Sequence, residues 1–343
     1  MRETDNTTSK LPAAGKNATA YVVRSRSSVD IMQSTSHCLI AAMRVIYSMN
    51  SRSAKDRFYN YTAGIGLFRF RIITECGILS GTVLVYSLKT QKGTTMQLHL
   101  TFSARHVRLP LSHRYALQGM LYHALASNPH YSNYVHNSGY SCGARNYKLF
   151  TFGRLSGPFM HSEREIIFKD TVHFEVRSVD PNFVYQLGSV LCPSSRINLF
   201  ENTLEILDSR IEDYSPNTCC AKISMLSPIT VFETERSGYR RFIAPDESLF
   251  YTAVVNNALR KWQSYFNTPA PTDFSFEPAL PPAELIQNHR IVSRFKRSTI
   301  VSYGGSYVLR GNGKLINFLY DAGLGSKNSQ GLGMFNIESF PDL

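Results

Sequence analysis

The most distinctive residues for chemistry lie near the C-terminus, where two Gly-x-Gly pairs enclose a short polar segment. The residues concerned are Gly323, Gly325, Lys327, Asn328, Gly331 and Gly333. Glycine adopts positive φ angles and lets another backbone approach closely, and consecutive main-chain N–H groups in such a loop can surround an anion. Because a lysine lies within the loop, we expect it to hold a phosphate-rich ligand on its N–H groups and on Lys327.

Two familiar nucleotide-binding motifs fit this segment badly. A dinucleotide fingerprint needs a third glycine three residues after the second, where this chain has Asn328, and a P-loop needs a glycine directly before its lysine, where this chain has Ser326. Both motifs also lie between a strand and a long helix, whereas this segment runs into 332–337 and the chain end. A mobile glycine-rich turn is the remaining alternative, and the apolar runs on both sides argue against it.

The glycine-rich segment resembles the C-terminal loop of the CRISPR-associated endoribonucleases that cut precursor CRISPR RNA within its repeats, a group within the RAMP superfamily. The residues before it, 315–322, resemble the short helix that leads into this loop in that family. The run Lys148-Leu-Phe-Thr151 resembles one of the family's strands. The resemblance extends from Met96 to Leu343.

The fold that the resemblance implies is α+β, with two tandem ferredoxin-like (RRM-like) domains and a C-terminal glycine-rich loop. Residues 96–219 would form the domain with the catalytic loop, and residues 220–343 the domain with the glycine-rich loop. The apolar pattern agrees with this fold. Leu98, Leu100 and Phe102 alternate onto one face of a strand over 96–103, and the elements of the first domain follow the order β-α-β-β-α-β.

The other elements are predicted from apolar spacing and capping residues. In the first domain we expect helices over 113–125, capped by Ser112, and over 181–191, after Asp180, with strands over 147–152, 164–176 and 201–207. In the second we expect a strand over 220–232, helices over 247–266, capped by Asp246, and over 313–320, and a hairpin over 291–308 that turns at Gly304-Gly305. Trp262 is expected in the core.

Cleavage of RNA without a metal ion requires a base for the ribose 2′-OH, a proton for the leaving 5′-oxygen and stabilisation of the phosphorane charge. Histidine suits the proton transfers because its unperturbed pKa is about 6.5, and lysine or tyrosine can stabilise the developing charge. The resemblance implies that His136, in the turn after the first helix, is the general base or acid. It also implies that Tyr122 on that helix and Lys148 on the next strand are active-site residues.

The residues alone leave a second role open for each candidate. His136 could be a surface-loop histidine, Tyr122 a packed helix residue and Lys148 a solvated residue at a strand edge. Arg145 could supply the positive charge in place of Lys148, because the loop between His136 and the strand varies across the family that the chain resembles.

Other histidines do not suggest a metal site. His123 and His130 are interpreted as exposed helix and loop residues. No group of His, Asp or Glu has the spacing of metal ligands. We therefore predict neither a metal ion nor another cofactor.

A basic segment before the glycine-rich loop offers contacts to RNA phosphates, which position RNA more than general basicity does. Arg294 and Lys296 alternate onto one face of the expected hairpin and Arg297 onto the other. These residues could flank bound RNA, or they could belong to a solvated strand pair. Arg240 and Arg241 are weaker candidates for the same role.

The formal net charge of +12 invites a nucleic-acid ligand, but most of this charge lies outside the motifs. Residues 1–95 contain 13 Lys and Arg against 5 Asp and Glu, a net charge of +8, whereas residues 96–343 contain 24 against 20, a net charge of +4. Basicity alone therefore does not establish an RNA ligand for the part of the chain that carries the motifs.

Residues 1–95 are interpreted as an N-terminal extension that is disordered or not part of the native protein, with Met96 as the native start. Residues 1–35 lack a periodic apolar pattern, and residues 36–95 have apolar patches without clear turn signals. We predict neither a signal peptide nor a membrane segment, because the charge-free apolar tract 76–88 is too short to span a bilayer. The six cysteines form no Cys-x-x-Cys pair, which favours a cytoplasmic protein without disulfides or a zinc site.

The resemblance implies an antiviral-defence endoribonuclease whose partner is CRISPR repeat RNA, both precursor and mature. An interference effector complex and a second copy of the chain are the further partners considered. The alternative function is a non-catalytic repeat-RNA-binding subunit of such a complex. A nucleotide-binding enzyme is poorly supported, because the loop has neither the third glycine nor the lysine of the standard motifs.

Overall fold

The computed structural model describes residues 20–22, 64–74, 77–87, 96–296 and 298–339, and residues 1–91 and 92–343 form two compact units. The described strands of the first unit are β1 (Ala20–Val22), β2 (Gly64–Thr74) and β3 (Gly77–Ser87). They pair antiparallel in the order β1-β3-β2. The apolar and β-branched residues of these three strands favour this sheet, and the expectation that 1–95 is a disordered or non-native extension stays a prediction. The rest of 1–95 lies outside the described residues.

The second unit contains eighteen described strands and six described α-helices. The strands are β4 (Met96–Ser103), β5 (Val107–Pro110), β6 (Tyr140–Cys142), β7 (Arg145–Tyr147), β8 (Phe150–Phe152), β9 (Phe159–His161), β10 (Glu165–Phe168), β11 (Thr171–Ser178), β12 (Arg196–Leu199), β13 (Asn202–Glu212), β14 (Cys220–Met225), β15 (Phe232–Thr234), β16 (Arg240–Phe242), β17 (Ser275–Pro278), β18 (Arg290–Phe295), β19 (Ser298–Tyr303), β20 (Ser306–Arg310) and β21 (Phe335–Ser339). The helices are α1 (Arg114–Leu125), α2 (Pro129–Asn133), α3 (Pro181–Val190), α4 (Ser248–Phe266), α5 (Pro282–His289) and α6 (Gly313–Ala322).

The first large sheet has the strand order β12-β13-β4-β11-β8, and all of its pairs are antiparallel. Leu98, Leu100 and Phe102 are buried in its core, as the alternation predicted. Helices α1 and α3 contribute residues such as Leu121 and Phe183 to the same core. The side chain of Asp180 caps α3 by accepting a hydrogen bond from the N–H of Asn182, so α3 begins where the sequence predicted.

The second large sheet has the order β17-β20-β14-β21, again with antiparallel pairs. Helices α4 and α6 pack on it and share its core. Both sheets repeat one connectivity: in each, a helix follows the first strand and another follows the third, and the third and last strands in chain order flank the first. The unit is therefore a mixed α/β structure built on two similar antiparallel sheets.

Several predicted strands are interrupted in the structure. The strand expected over 147–152 is divided into β7 and β8, because Leu149 has a positive φ of 52°. The strand expected over 164–176 is divided at 169–170 into β10 and β11, which belong to different sheets. The strand expected over 220–232 ends at Met225. Alternation of apolar residues predicted the strands but not the positions at which the chain changes sheet.

The hairpin predicted over 291–308 also turns at another place. β18 pairs with β19 up to Phe295 and Ser298, so the turn lies between those two residues and not at Gly304-Gly305. β20 then leaves the hairpin and enters the second large sheet. Helices α1 and α4 begin after His113 and Glu247, one residue later than the caps predicted at Ser112 and Asp246. None of the helices in the described part of the chain is long and apolar enough to cross a membrane.

A buried arginine connects the two large sheets. Arg177 on β11 is only 1% exposed, and its Nε pairs with Glu175. Its Nη1 donates to the carbonyl oxygen of Phe335 on β21 at 2.7 Å, and its Nη2 donates to Oδ1 of Asn336 at 3.0 Å. The guanidinium carbon lies 3.8 Å from the centre of the Tyr320 ring on α6. The planar guanidinium thus satisfies acceptors on β11 and β21 at once.

We expect Arg177→Met to lower the free energy of unfolding by about 3 kcal/mol, because the change leaves Glu175 and the buried carbonyl of Phe335 without their donor. Urea unfolding of the variant measures this cost. Arg196→Met, at an exposed position, is the matched control and should cost less than about 0.5 kcal/mol. Equal effects of the two substitutions would contradict the bridging role.

Candidate active site

The turn that carries His136 lies beside helix α1. Residues Tyr134–Ser138 form a single π-helical turn directly after α2, and such turns recur at functional sites. The His136 ring meets the Tyr122 ring edge-on, with centroids 5.0 Å apart and planes at 72°. The two side chains line an open cleft of about 470 Å³, together with Ala126, Pro129, Ser132, Asn133 and Asn137. Two of the three predicted catalytic residues therefore meet in one cleft.

The neighbouring asparagine sets the tautomer of His136. Nδ2 of Asn137 donates to Oδ1 of Asn133, so Oδ1 of Asn137 faces Nδ1 of His136 at 2.8 Å. An amide oxygen can only accept, so Nδ1 of the neutral imidazole carries the proton and Nε2 keeps its lone pair. The His136 side chain is exposed, which leaves Nε2 available to a substrate.

Tyr122 stays protonated at neutral pH. Burial raises the pKa of Tyr122 to about 12, because the phenolate would lose hydration in this half-buried position. Its ring also packs edge-on against Phe150 of the core, with centroids 6.1 Å apart. The Tyr122 ring therefore contacts both the core and His136, and its part in catalysis stays a prediction.

Lys148 lies against the end of the His136 turn. Gly139 closes this turn with φ = 60°, and its N–H donates to the carbonyl oxygen of Tyr134 at 2.8 Å. A Cβ at Gly139 would overlap the Tyr147 carbonyl oxygen and would lie 3.3 Å from Cδ of Lys148. Burial lowers the pKa of the half-buried Lys148. Its cationic side chain is therefore next to the turn, although it does not line the cleft.

Arg145 and two other histidines lie at the periphery. Arg145 is exposed on β7, in the hairpin that follows the His136 turn. His123 and His130 are exposed, as predicted. Among the described residues, no three His, Cys, Asp or Glu side chains lie close enough together to hold a metal ion.

The glycine-rich loop is organised around a buried lysine that the sequence did not single out. Lys261 on α4 is 2% exposed. Its Nζ donates to the carbonyl oxygens of Gly323 at 2.7 Å and Gly325 at 2.8 Å and to Oδ1 of Asn328 at 2.6 Å. Nδ2 of Asn328 in turn donates to the carbonyl oxygens of Leu324 and Leu332, each at 2.9 Å. The loop therefore wraps its carbonyl groups around the buried Lys261 amino group.

This arrangement corrects the expected phosphate cradle. The four glycines are buried, and the N–H groups of Gly331 and Gly333 donate to the carbonyl oxygens of Asn328 and Pro228. A Cβ at Gly333 would overlap the Leu324 carbonyl oxygen, and one at Gly331 would overlap the Phe152 ring. Close packing at positive φ explains these glycines without a ligand. Contact of the loop with RNA stays a prediction, centred on its partly exposed residues 326, 327, 329 and 330.

Lys327 faces away from this internal network. It has φ = 62°, and its Nζ lies 5.4 Å from the centre of the Phe232 ring. The guanidinium carbon of Arg240 lies 5.3 Å from the same ring. Burial and the charge of Arg240 lower the pKa of Lys327. Arg240 is therefore a stronger candidate than the sequence indicated, whereas Arg241 is engaged with Glu233 and Glu247.

The other predicted RNA contacts lie on the hairpin β18–β19. Arg294 is exposed and Phe295 is buried, as alternation requires. Lys296 is exposed, but it has φ = 53° and follows the end of β18, so its expected alignment with Arg294 along a strand is wrong. Arg297 lies outside the described residues. Trp262 packs against Phe266 in the second core, as predicted.

Comparison with known proteins bears on the family that the sequence resembles. Residues 212–337 match the family model described as CRISPR associated protein Cas6, C-terminal. The chain is 25% identical over 245 residues to the CRISPR-associated endoribonuclease Cas6 of Pyrococcus furiosus, covering 68% of this chain and 85% of the relative. The resemblance that the glycine-rich segment indicated is confirmed.

Solved structures show the same fold. The product of a Cas6-related gene from Pyrococcus furiosus superposes with a TM-score of 0.61 at 18% identity, covering 71% of this chain and 98% of that one. A RAMP protein that binds different RNA substrates superposes with a TM-score of 0.60 at 16% identity, covering 71% of this chain and all of the other. At these identities the likeness concerns the fold alone.

We expect Lys261→Met to lower the free energy of unfolding by about 3 kcal/mol or more, because three buried acceptors lose their common donor. Urea unfolding at pH 7 measures the effect, and Lys314→Met, at an exposed position, is the matched control. A cost no larger than that of the control would contradict the role of Lys261 in organising the loop.

The stability contribution of Lys261 should also depend on pH. Burial lowers the pKa of Lys261 from 10.5 to about 7, so between these values the unfolded chain binds a proton that the folded chain has released. Linkage then makes the unfolding free energy of the wild type rise with pH, by at most about 1.4 kcal/mol per pH unit. Lys261→Met lacks this contribution, so the difference between the two proteins should widen from pH 7 to pH 9. A constant difference would contradict the lowered pKa.

Proposed function

We propose that this chain, which matches the Cas6 C-terminal family model over residues 212–337, is a metal-independent endoribonuclease that cuts CRISPR repeat RNA. The observation that carries the proposal is the pairing of His136 with Tyr122 in an open cleft, in a chain similar to a curated CRISPR-associated endoribonuclease. The two sheets of like connectivity would be the two tandem ferredoxin-like domains that hold this cleft and the RNA.

In the proposed reaction the ribose 2′-OH attacks the adjacent phosphate. Nε2 of His136 takes the 2′-OH proton, because Asn137 holds the other ring nitrogen protonated. The new bond joins the 2′-oxygen to phosphorus, and the bond from phosphorus to the 5′-oxygen breaks. The Tyr122 hydroxyl donates the proton that the 5′-oxygen takes, and the Lys148 cation stabilises the charge on the phosphorane. The products are a 2′,3′-cyclic phosphate and a 5′-hydroxyl.

Binding of the repeat would use cations that the fold leaves accessible. Lys327 and Arg240 share the Phe232 ring beside the glycine-rich loop, and Arg294 is exposed on the β18–β19 hairpin. A solved relative in fold is described as a RAMP protein that binds different RNA substrates, which supports an RNA ligand for this architecture. We propose that the mature CRISPR RNA is the product in the cytoplasm and that it passes to an interference effector complex.

Cleavage of a labelled repeat RNA should proceed in EDTA and should stop when the ribose at the cut site lacks its 2′-OH. The first result is expected because the proton-transfer groups are side chains, and the second because the 2′-oxygen is the nucleophile. Product ends are identified by mass as a cyclic phosphate and a 5′-hydroxyl. Tight binding of the repeat without any cut would instead support a non-catalytic RNA-binding subunit, and a cut in the deoxy substrate would exclude the proposed chemistry.

His136→Ala should slow the single-turnover cut by about 10²–10⁴-fold, the usual contribution of one positioned acid–base group. Binding of the 2′-deoxy repeat should stay within about twofold of the wild-type value, because His136 is placed for proton transfer and not for phosphate contact. His123→Ala removes an exposed histidine from helix α1 and is the control. Parallel loss of binding and cutting in His136→Ala would contradict the assignment.

A further inference from the structure

The segment that carries His136 is held at both ends by one carboxylate. Tyr131 lies on α2, before the turn, and Tyr140 lies on β6, after it. The Tyr131 hydroxyl donates to Oδ2 of Asp180 at 2.6 Å, and the Tyr140 hydroxyl donates to the same oxygen at 3.0 Å. The residues between the two tyrosines include the whole turn Tyr134–Ser138. Oδ2 of Asp180 therefore holds the chain both before and after this turn.

Asp180 is itself fixed by its surroundings. Its Oδ1 accepts from the N–H of Asn182 at 3.0 Å, which caps α3, and its own N–H donates to Oγ of Ser178 at 3.1 Å. The adjacent carbonyl oxygen of Val179 accepts from the hydroxyl of Tyr265 on α4 at 2.9 Å. Helix α4, which packs on the second sheet, thus contacts Val179 beside Asp180. These contacts hold the Asp180 carboxylate in a fixed position.

The two donors keep their protons at every working pH. Burial, followed by the charge of Asp180, raises the pKa values of Tyr131 and Tyr140 far above their usual value of 10. Two hydroxyl donors and a carboxylate acceptor form charge-assisted hydrogen bonds, which are stronger than neutral ones. The anchor is therefore not lost by titration of either tyrosine.

The turn needs this support because its own packing is slight. Val135 is the one buried residue of Tyr134–Ser138, and the His136 side chain is exposed. A catalytic side chain on such a turn has few contacts of its own to hold it near a reactive geometry. A misplacement of about 1 Å can cost about 100-fold in rate.

We propose that Asp180, Tyr131 and Tyr140 are positioning residues that hold the His136 turn against Tyr122 for RNA cleavage. The inference rests on the proposed function, because it assigns these residues to the placement of a catalytic histidine. None of the three lines the cleft around His136. They act through the position of the turn and not by contact with RNA.

The test removes the two hydroxyls and leaves the rings. The double variant Tyr131→Phe/Tyr140→Phe should cut the repeat about 10- to 100-fold more slowly in single turnover, with the Kd for the 2′-deoxy repeat within about twofold of the wild type. Tyr251→Phe is the matched control: its hydroxyl donates to the carbonyl oxygen of Pro245 at 2.8 Å, away from the turn. The control should cut at the wild-type rate.

The substitution Asp180→Asn distinguishes the two roles of Asp180, which are to hold the two tyrosine hydroxyls and to cap helix α3. Asparagine caps a helix about as well as aspartate, so the melting temperature should change little, but its amide presents one oxygen in place of two. We expect a loss of cutting rate similar to that of the double variant. A melting temperature lowered together with a wild-type rate for the folded fraction would overturn the proposal, and so would a wild-type rate in both variants.

His136→Ala in the same assay separates failure of this inference from failure of the proposed function. If His136→Ala abolishes cutting while the double variant cuts normally, the function stands and the positioning role falls. If His136→Ala cuts normally, the catalytic assignment falls, and the positioning role falls with it.

Discussion

The buried guanidinium of Arg177 is the constraint on which the rest of the unit 92–343 depends. It lies on the central part of the first sheet and reaches the carbonyl oxygen of Phe335 on the second. Loss of the acceptors of a buried cation is strongly destabilising, so the strands that supply these acceptors must stay in register with Arg177. The chain continues from Arg177 directly to Val179 and Asp180, which contact helix α4 and the His136 segment. The position of the candidate active site therefore depends on the strand that carries Arg177.

A second buried basic side chain, that of Lys261, organises the glycine-rich loop. Lys261 lies on α4, and its Nζ donates to three oxygen atoms of the loop. The loop contacts the first sheet through Leu332, whose carbonyl oxygen accepts from Oγ1 of Thr151. Nε2 of Gln118 on α1 donates to the carbonyl oxygen of Ser329 at 2.6 Å. The loop thus connects α4 to the helix that carries Tyr122. Its glycines provide close approach for this connection.

The candidate active site combines an exposed chemical group with buried support. The His136 side chain is exposed, whereas Tyr122 and Lys148 are half-buried. Burial acts on the pKa values of both, raising that of Tyr122 to about 12 and lowering that of Lys148. A protonated Tyr122 hydroxyl therefore lines the cleft, and the half-buried Lys148 lies beside the turn that carries His136. The three candidate residues therefore differ in their degree of burial.

Elements with strong local signals could be predicted from the sequence. Alternation predicted the strand over 96–103, Asp180 predicted the start of α3, and the glycine spacing led to the family resemblance and through it to His136 and Tyr122. The sequence could not show that Leu149 interrupts a strand, because its positive φ arises where the chain passes from one small sheet to a larger one. Nor could it identify Lys261, since a lysine on an amphipathic helix normally faces water. Only the tertiary structure decided which polar groups face inward, because their partners lie on elements distant in sequence.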